Sequence, residues 1–455
     1  MKKYFFCGIG GSGMSSLALM LKSKGMDIGG SDRALDAGQY ADKFTTLKEQ
    51  GLRLFPQNGS GLDETTDALV VSSAVEETIP DVVKARKLNI PVLTRAQVLA
   101  DFLHDHNGIA VGGTSGKTTV TGMIGHILKT ADIDPCVING GIMLNYPDSA
   151  GLGNIIAGNG TFCVIEADES DGSIELYHPA VSVVTSLSLD HKPIEELKVL
   201  FGDFVERASV GAVLNADNED VNALKDRNSN VLTFSVQDAP ADLKAHDIIP
   251  EENGVSFTLD GENVFLPVIG HHNVANALAA IAASEMIGVT RSQAIEALST
   301  FKGIHRRLET VGVTKKNITV IDDFAHNPEK IEASLSALKE YTGRLIVIYQ
   351  PHGFKPTKML RSGIVNAFDK GLSLDDTLIM QEIYYAGGTA QKDISAADLV
   401  RDLEKTGKRV HFIPNRKKIV TLVKGLAAKG DRIVIMGARD ETLSDFAHEI
   451  YEALL

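Results

Sequence analysis

The chain has no tryptophan, three cysteines in 455 residues and no hydrophobic run long enough to span a bilayer. Cys7, Cys136 and Cys163 lie far apart, in or beside apolar runs. That pattern excludes a disulfide or zinc framework and reads as buried free thiols of a reducing compartment. The start, Met1 to Cys7, is apolar for a few residues only and breaks at Gly8, too short for the core of a signal peptide. The expectation is a cytoplasmic protein without membrane insertion. Sustained basic runs are also missing, and the formal charge is −14. Nothing therefore neutralises a phosphate backbone along a stretch, and a nucleic-acid partner is excluded. Small anions are still allowed, because loops and helix ends bind them locally. Short repeats and low-complexity segments are lacking too. What is present is ordinary globular composition, 44% apolar and 23% charged, over a length that calls for two to four domains.

The most informative stretch is Gly112-Gly113-Thr114-Ser115-Gly116-Lys117-Thr118-Thr119. The apolar run Ile109-Ala110-Val111 leads into it, and Val120, Met123, Ile124, Ile127 and Leu128 follow at the spacing of one helical face. Strand, glycine turn and helix together make a phosphate-binding loop. Backbone N–H groups converge on an anion at the positive end of a helix dipole. Lys117 would reach the terminal phosphates of ATP and the Thr118 hydroxyl would help hold Mg²⁺. The form is a shortened one, since the first glycine of the eight-residue pattern would fall on Val111.

A second glycine loop opens the chain. The strand Tyr4 to Cys7 runs into Gly8-Ile9-Gly10-Gly11-Ser12-Gly13, and a helix with Met14, Leu17, Ala18 and Leu21 on one face follows. Asp32 stands 19 residues after Gly13, where a dinucleotide-binding unit places the acid that takes a ribose hydroxyl. NAD satisfies this pattern, and so does any diphosphate-linked ribose. Strand and helix signals alternate onward to Leu103, and the polar break His104-Asp105-His106-Asn107-Gly108 marks a boundary with two solvated histidines. A first domain over 1–105 is expected.

The central domain, expected over 106–304, carries a second chemical cluster. The strand Phe162 to Ile165 ends in Glu166-Ala167-Asp168-Glu169-Ser170-Asp171, with four carboxylates at a strand's carboxyl end. Hard cations take such oxygen ligands and bridge to phosphate. The strand Val181 to Thr185 leads to Asp190-His191, a further metal-site candidate or a structural pair. Alternation over 253–268 around Asp260-Gly261 predicts a hairpin, a small antiparallel addition. The segment Gly270 to Asn276 starts an apolar helix whose Asn273 and Asn276 amides suit a purine edge. Arg306 and Arg307 either meet phosphate or lie exposed; their spacing does not choose. The third domain, expected over 305–455, is again β/α. Asp322-Asp323-Phe324-Ala325-His326-Asn327-Pro328 and Gln350-Pro351-His352 stand at strand ends, where open parallel sheets bind ligands.

Three α/β domains, the first and last Rossmann-like around a parallel-sheet phosphate-loop domain, resemble the Mur ligase family of ATP-dependent amide-forming enzymes. The resemblance covers nearly the whole chain. It rests on the opening glycine loop, Ser72-Ser73-Ala74, Glu166 to Asp171, Gly270 to Asn276, Gln350-Pro351-His352 and Tyr385-Ala386-Gly387. Its implications go beyond spacing. Gly10, Gly11, Ser12, Gly13, Asp32, Ser72 and Ser73 would hold a uridine-diphospho-sugar, so no NAD is implied. Gly113, Thr114, Ser115, Gly116, Lys117, Thr118 and Thr119 would bind ATP phosphate, with Thr118, Glu166 and His191 on Mg²⁺. Asn273 and Asn276 would face adenine, Arg307 the phosphates and Asp323 the ribose. His326 and His352 would lie near the incoming amino acid.

The resemblance further implies peptidoglycan synthesis. ATP phosphorylates the lactyl carboxylate of UDP-N-acetylmuramate, and an amine, L-alanine by the motif set, displaces phosphate. Lys117, Glu166, His191, Arg307 and His326 would carry that chemistry, with closure of the third domain excluding water. The chain departs from the alanine-adding pattern at Gly353 and Pro356, where two arginines for the amino-acid carboxylate are expected; Lys355 or Lys358 would supply the charge. The short Lys192 to Leu197 segment is similar instead to the member that recycles murein tripeptide onto the same sugar nucleotide. From another class, an NAD-dependent oxidoreductase with an ATP-binding regulatory domain also satisfies both glycine loops, though no hydride-transfer pair stands out. The partners implied are small molecules, with the chain a monomer or homodimer.

Overall fold

Three sheets organise the chain in a computed structural model that describes all residues except 73–74, 170–171, 189–192, 252 and 386–390. The first sheet is parallel, with five strands in the spatial order Arg53–Phe55, Asp27–Ser31, Lys3–Cys7, Ala68–Val71 and Val92–Thr94. Its central strand is Lys3–Cys7, whose last three residues are buried, and the helix Ser12–Ser23 leaves its carboxyl end. The helix Arg95–His104 is started by a capping box in which Thr94 and Gln97 satisfy each other's backbone N–H groups. All three cysteines are free and buried, as expected, and burial beside Asp81 pushes the Cys7 thiol up to about 12.

The second sheet has ten strands. Its parallel body includes Gly211–Asn215, Val181–Val184, Asn107–Gly112, Phe162–Glu166 and Cys136–Ile138 as consecutive neighbours. The phosphate-loop strand Asn107–Gly112 therefore lies between the strand that ends in Glu166 and the strand that leads to Thr185. At one edge the predicted hairpin is present as Gly254–Leu259 and Glu262–Leu266, turning through Asp260 and Gly261, both at positive φ. One hydrophobic cluster runs without a break from the first sheet to the second. Phe6, Leu17 and Leu21 belong to it together with Ala110, Cys136, Ile155 and Cys163. Beside it the Asn154 amide donates to the Ser16 hydroxyl at 2.6 Å. Residues 1–248, 256–267 and 273–304 accordingly form one compact unit.

Residues 249–255, 268–272 and 305–455 form the second unit. Its six-stranded sheet runs Glu309–Val313, Thr319–Asp323, Arg432–Gly437, Leu345–Gln350, Thr377–Met380 and Arg409–Phe412. Separate apolar clusters cover its two faces. Among the described residues no helix is long and apolar enough to cross a membrane.

Two details differ from the sequence reading. The polar break at His104 to Gly108 is largely absorbed into regular structure, since the helix runs through His104 and the next strand begins at Asn107. His106 is not a solvated linker residue: its Nδ1 lies 2.7 Å from the Phe102 carbonyl and its ring stacks 4.5 Å from the Phe102 ring. The third domain also begins with an antiparallel edge strand, Glu309–Val313, which was not expected. Its alternating residues are half-exposed and include Gly312, so it lacks the apolar run that marks the strands inside the sheet.

Candidate functional site

The phosphate loop is built as the residues require. Gly116 takes φ +85° at the head of the helix Lys117–Thr130, and a Cβ there would lie 2.6 Å from Asn276 Oδ1. Only glycine satisfies both the left-handed backbone and the close approach. No acidic side chain occupies the helix's first turn, so the dipole's positive end is not neutralised. The loop is braced by residues that sequence reasoning missed. Thr114 N donates to Ser186 O at 2.9 Å, Ser115 N to Ser186 Oγ at 3.1 Å and Thr185 Oγ1 to Ser115 O at 2.5 Å. Asn276 donates to Asn273 Oδ1 at 2.9 Å; both are buried, which places the predicted adenine-facing pair against the loop. Thr119 is half-buried in the helix's first turn.

The acidic strand end meets this loop directly. Thr118 Oγ1 donates to Glu166 Oε2 at 3.2 Å, and Gly140 N donates to Glu166 Oε1 at 2.6 Å. Lys117 Nζ donates to Gly113 O at 2.6 Å and pairs with Glu169 Oε2 at 2.8 Å, where the Glu169 side chain is 4% exposed. Glu169 was legible only as one carboxylate of four; it meets Lys117 because the strands that precede the two residues, Asn107–Gly112 and Phe162–Glu166, lie side by side and parallel. Thr118 and Glu166 form a hard-oxygen pair suited to Mg²⁺. His191, the third predicted ligand, lies outside the described residues, as do Ser73 and Ala386.

At the first glycine loop the helix Ser12–Ser23 starts behind Gly11 with no side-chain cap, leaving its first N–H groups to an anion. Asp32 accepts from Gly10 N and from Ala34 N, each at 2.8 Å, so its carboxylate fixes the loop and caps the next helix. Ser72 is half-buried and its carbonyl accepts from Val75 N. A Cβ on Gly13 would lie 3.3 Å from the Arg95 side chain. Nothing in the spacing had brought Arg95 to this loop.

In the second unit the fold separates the two adjacent arginines. Arg306 is buried, with Nε 3.2 Å from Asp322 Oδ1 and a terminal nitrogen donating to Gly437 O at 2.6 Å. Arg307 is exposed, and its guanidinium stands 5.2 Å from the centroid of Phe324. Asp323 is buried, accepting from Leu308 N at 3.1 Å and from Ser334 Oγ at 2.6 Å, so the residue predicted for a ribose is engaged within its own domain. The His326 and His352 rings meet edge to face at 5.2 Å. Burial holds His326 down to about 4, and burial with the charge of Arg439 holds His352 below its ordinary value, so both imidazoles are neutral near pH 7. Lys358 is taken up by Asp393 at 2.5 Å, while Lys355 is exposed. Among the described residues, His305, Glu309 and Asp322 are the group whose ligand atoms converge as a metal site would. His305 already pairs with Glu309, and Arg306 with Asp322, so the group is satisfied as an ion network.

A glycine loop on a helix start, with a lysine, a hydroxyl and a carboxylate around it, defines the class of phosphate-loop nucleotide-binding proteins, here in a chain of three α/β domains. Three family models match in chain order: "Mur ligase family, catalytic domain" over residues 3–107, "Mur ligase middle domain" over 111–284, and "Mur ligase, glutamate ligase domain" over 306–439. UDP-N-acetylmuramate–L-alanine ligase of Dictyoglomus turgidum is 34% identical over 454 residues, covering 96% of this chain and 94% of that protein. The solved structure of UDP-N-acetylmuramate-alanine ligase from Thermotoga maritima superposes with a TM-score of 0.80 at 27% identity, covering 99% of each chain. That of UDP-N-acetylmuramate:L-alanyl-gamma-D-glutamyl-meso-diaminopimelate ligase from Neisseria meningitides gives 0.58 at 27% identity, covering 67% of this chain and 100% of its own. The chain belongs to the Mur ligase family.

Proposed function

We propose that the chain is an ATP-dependent ligase of peptidoglycan synthesis that joins L-alanine to the lactyl carboxylate of UDP-N-acetylmuramate, releasing ADP and phosphate. The observation that carries this reading is the Lys117, Thr118 and Glu166 constellation on the phosphate loop, in a chain similar end to end to alanine-adding ligases. A carboxylate is a poor acylating agent. Its oxygen attacks the γ-phosphorus, the bond to ADP breaks, and an acyl phosphate results. The amine nitrogen then bonds to the acyl carbon, the carbon–oxygen bond to phosphate breaks, and one proton is released.

In this reading the first glycine loop and Arg95 hold the diphosphate of the sugar nucleotide. The loop amides and Lys117 bind the ATP phosphates and stabilise charge on the transferring group. Thr118 and Glu166 would hold Mg²⁺, which offsets phosphate charge when bound. Neutral His326 and His352 suit an incoming amine, since neither adds a positive charge that would repel its ammonium form.

The second reading, tripeptide as the amine, is favoured by Gly353 and Pro356, which remove the guanidinium pair expected for a single amino acid. Phosphate release by the purified chain with ATP, Mg²⁺ and UDP-N-acetylmuramate should be strong with L-alanine and weak with other amino acids. Release with tripeptide alone moves the assignment to the second reading. Turnover independent of any uridine-diphospho-sugar overturns both.

A further inference from the structure

Gly353 and Pro356 offer the amine's carboxylate no guanidinium, Lys358 is committed to Asp393, and Lys355, though exposed, lacks the planar fork. The structure supplies another cation at the same sheet end. Gly437, the last residue of its strand, pairs in register with Gln350, so residues 351–352 and 438–439 leave the sheet side by side. Arg439 is exposed, sits at φ +68° and has no ion pair among the described residues. Left-handed backbone is uncommon for a residue with a Cβ and is retained where the surroundings over-determine it. Here they do. Arg306 donates to the carbonyl oxygen of Gly437, while the Asp440 carboxylate accepts from Arg416 at 2.7 Å and from Thr442 Oγ1 at 2.6 Å. Arg439 is thus presented from a loop clamped on both sides. Its charge reaches His352, whose Nδ1 is buried with no partner among the described residues.

We propose that Arg439 is the carboxylate receptor of the amine substrate, seating the acid end of an amino acid beside His352 and His326. A guanidinium offers the planar two-point fork that a lysine lacks, so Arg439 fills the role that Lys355 and Lys358 fill poorly. The substrate class follows: the amine must carry a free carboxylate, and its amide or ester is a poor substrate.

This inference rests on the proposed ligase reading, and its test separates the two. Arg439→Gly is the variant of choice because φ +68° suits glycine without strain, so its Tm should equal or exceed that of the parent. Expected for Arg439→Gly is a ten- to hundred-fold rise in KM for L-alanine with KM for ATP and for UDP-N-acetylmuramate unchanged. Arg439→Lys should recover part of the loss, and L-alaninamide should turn over equally poorly in parent and variant. An unchanged KM for L-alanine, or an equal loss with L-alaninamide, overturns the assignment. An NMR titration of the His352 imidazole needs no turnover: saturating L-alanine should raise its midpoint in the parent and not in Arg439→Gly. If His352 responds in this way while no amine is ligated, the ligase reading fails and the receptor stands. If it does not respond, and tripeptide does not shift it either, the receptor fails.

Discussion

Lys117 Nζ stands 2.8 Å from Glu169 Oε2, with the carboxylate almost wholly buried, so the loop's lysine has a counter-charge before any nucleotide arrives. Nucleotide phosphates and Glu169 compete for one ammonium. Glu169→Gln removes the internal competitor and leaves Lys117 unpaired, and breaking a buried ion pair from one side is destabilising. The variant should melt a few degrees below the parent. The rise in Tm on adding ATP should be larger in the variant, because phosphate replaces the lost charge. Thermal shift with and without ATP checks this, and an equal rise in both proteins refutes it. Lys117→Ala should cost at least about a hundred-fold in ATP turnover, as loss of a charge that acts in the transition state does.

Gly116 offers a sharper test of the loop. Gly116→Ala adds a Cβ 2.6 Å from Asn276 Oδ1 at a backbone angle that alanine adopts with strain. Stability should fall by about 1–3 kcal/mol, and ATP affinity should fall by more than ten-fold. Denaturant unfolding and equilibrium nucleotide binding measure the two effects separately.

The adjacent arginines should part company in mutagenesis. Arg306→Ala leaves Asp322 buried without its cation, at a cost of about 3–5 kcal/mol. Arg307→Ala removes an exposed side chain and should shift stability by less than about 0.5 kcal/mol. Its turnover should nevertheless drop markedly, with KM for ATP raised. Chemical denaturation beside steady-state kinetics distinguishes the pair, and a stable, active Arg306→Ala would be the contrary result.

The second unit should lose stability in acid through His326. Its native midpoint is about 4 against about 6.5 unfolded. Below pH 6.5 the unfolded chain takes up a proton that the native imidazole refuses. This contribution is complete above pH 6.5 and is lost progressively towards pH 4, about 3 kcal/mol at most. His305 works oppositely, since its hydrogen bond with Glu309 raises it. Its contribution is complete below pH 6.5 and is lost as pH climbs through the raised value. Imidazole NMR titrations of the two residues should bracket the ordinary histidine midpoint from either side.

How much of this could be read beforehand depends on how local each feature is. The phosphate loop was legible because strand, glycines, lysine and helix are consecutive, and the hairpin because Asp260-Gly261 is a two-residue signal. Capping pairs such as Thr94 with Gln97 are local in the same way. Glu169 and Arg95 were not legible as partners of their loops, since 52 residues separate Glu169 from Lys117 and the pair forms only once the strands preceding them lie side by side. Arg306 and Arg307 have the same chemistry and nearly the same position; only the left-handed turn at Arg306 and Leu308 decides which is buried. The edge strand Glu309–Val313 escaped because an edge has one covered face and little apolar pattern.

The apolar cluster shared by the first two sheets has a practical consequence for anyone dividing the chain. A fragment ending near residue 105 would expose the helix face carrying Leu17 and Leu21 and leave Ser16 without Asn154. Such a fragment should aggregate or bind nucleotide weakly, whereas one ending near residue 304 keeps that interior closed and is the smallest piece worth expressing.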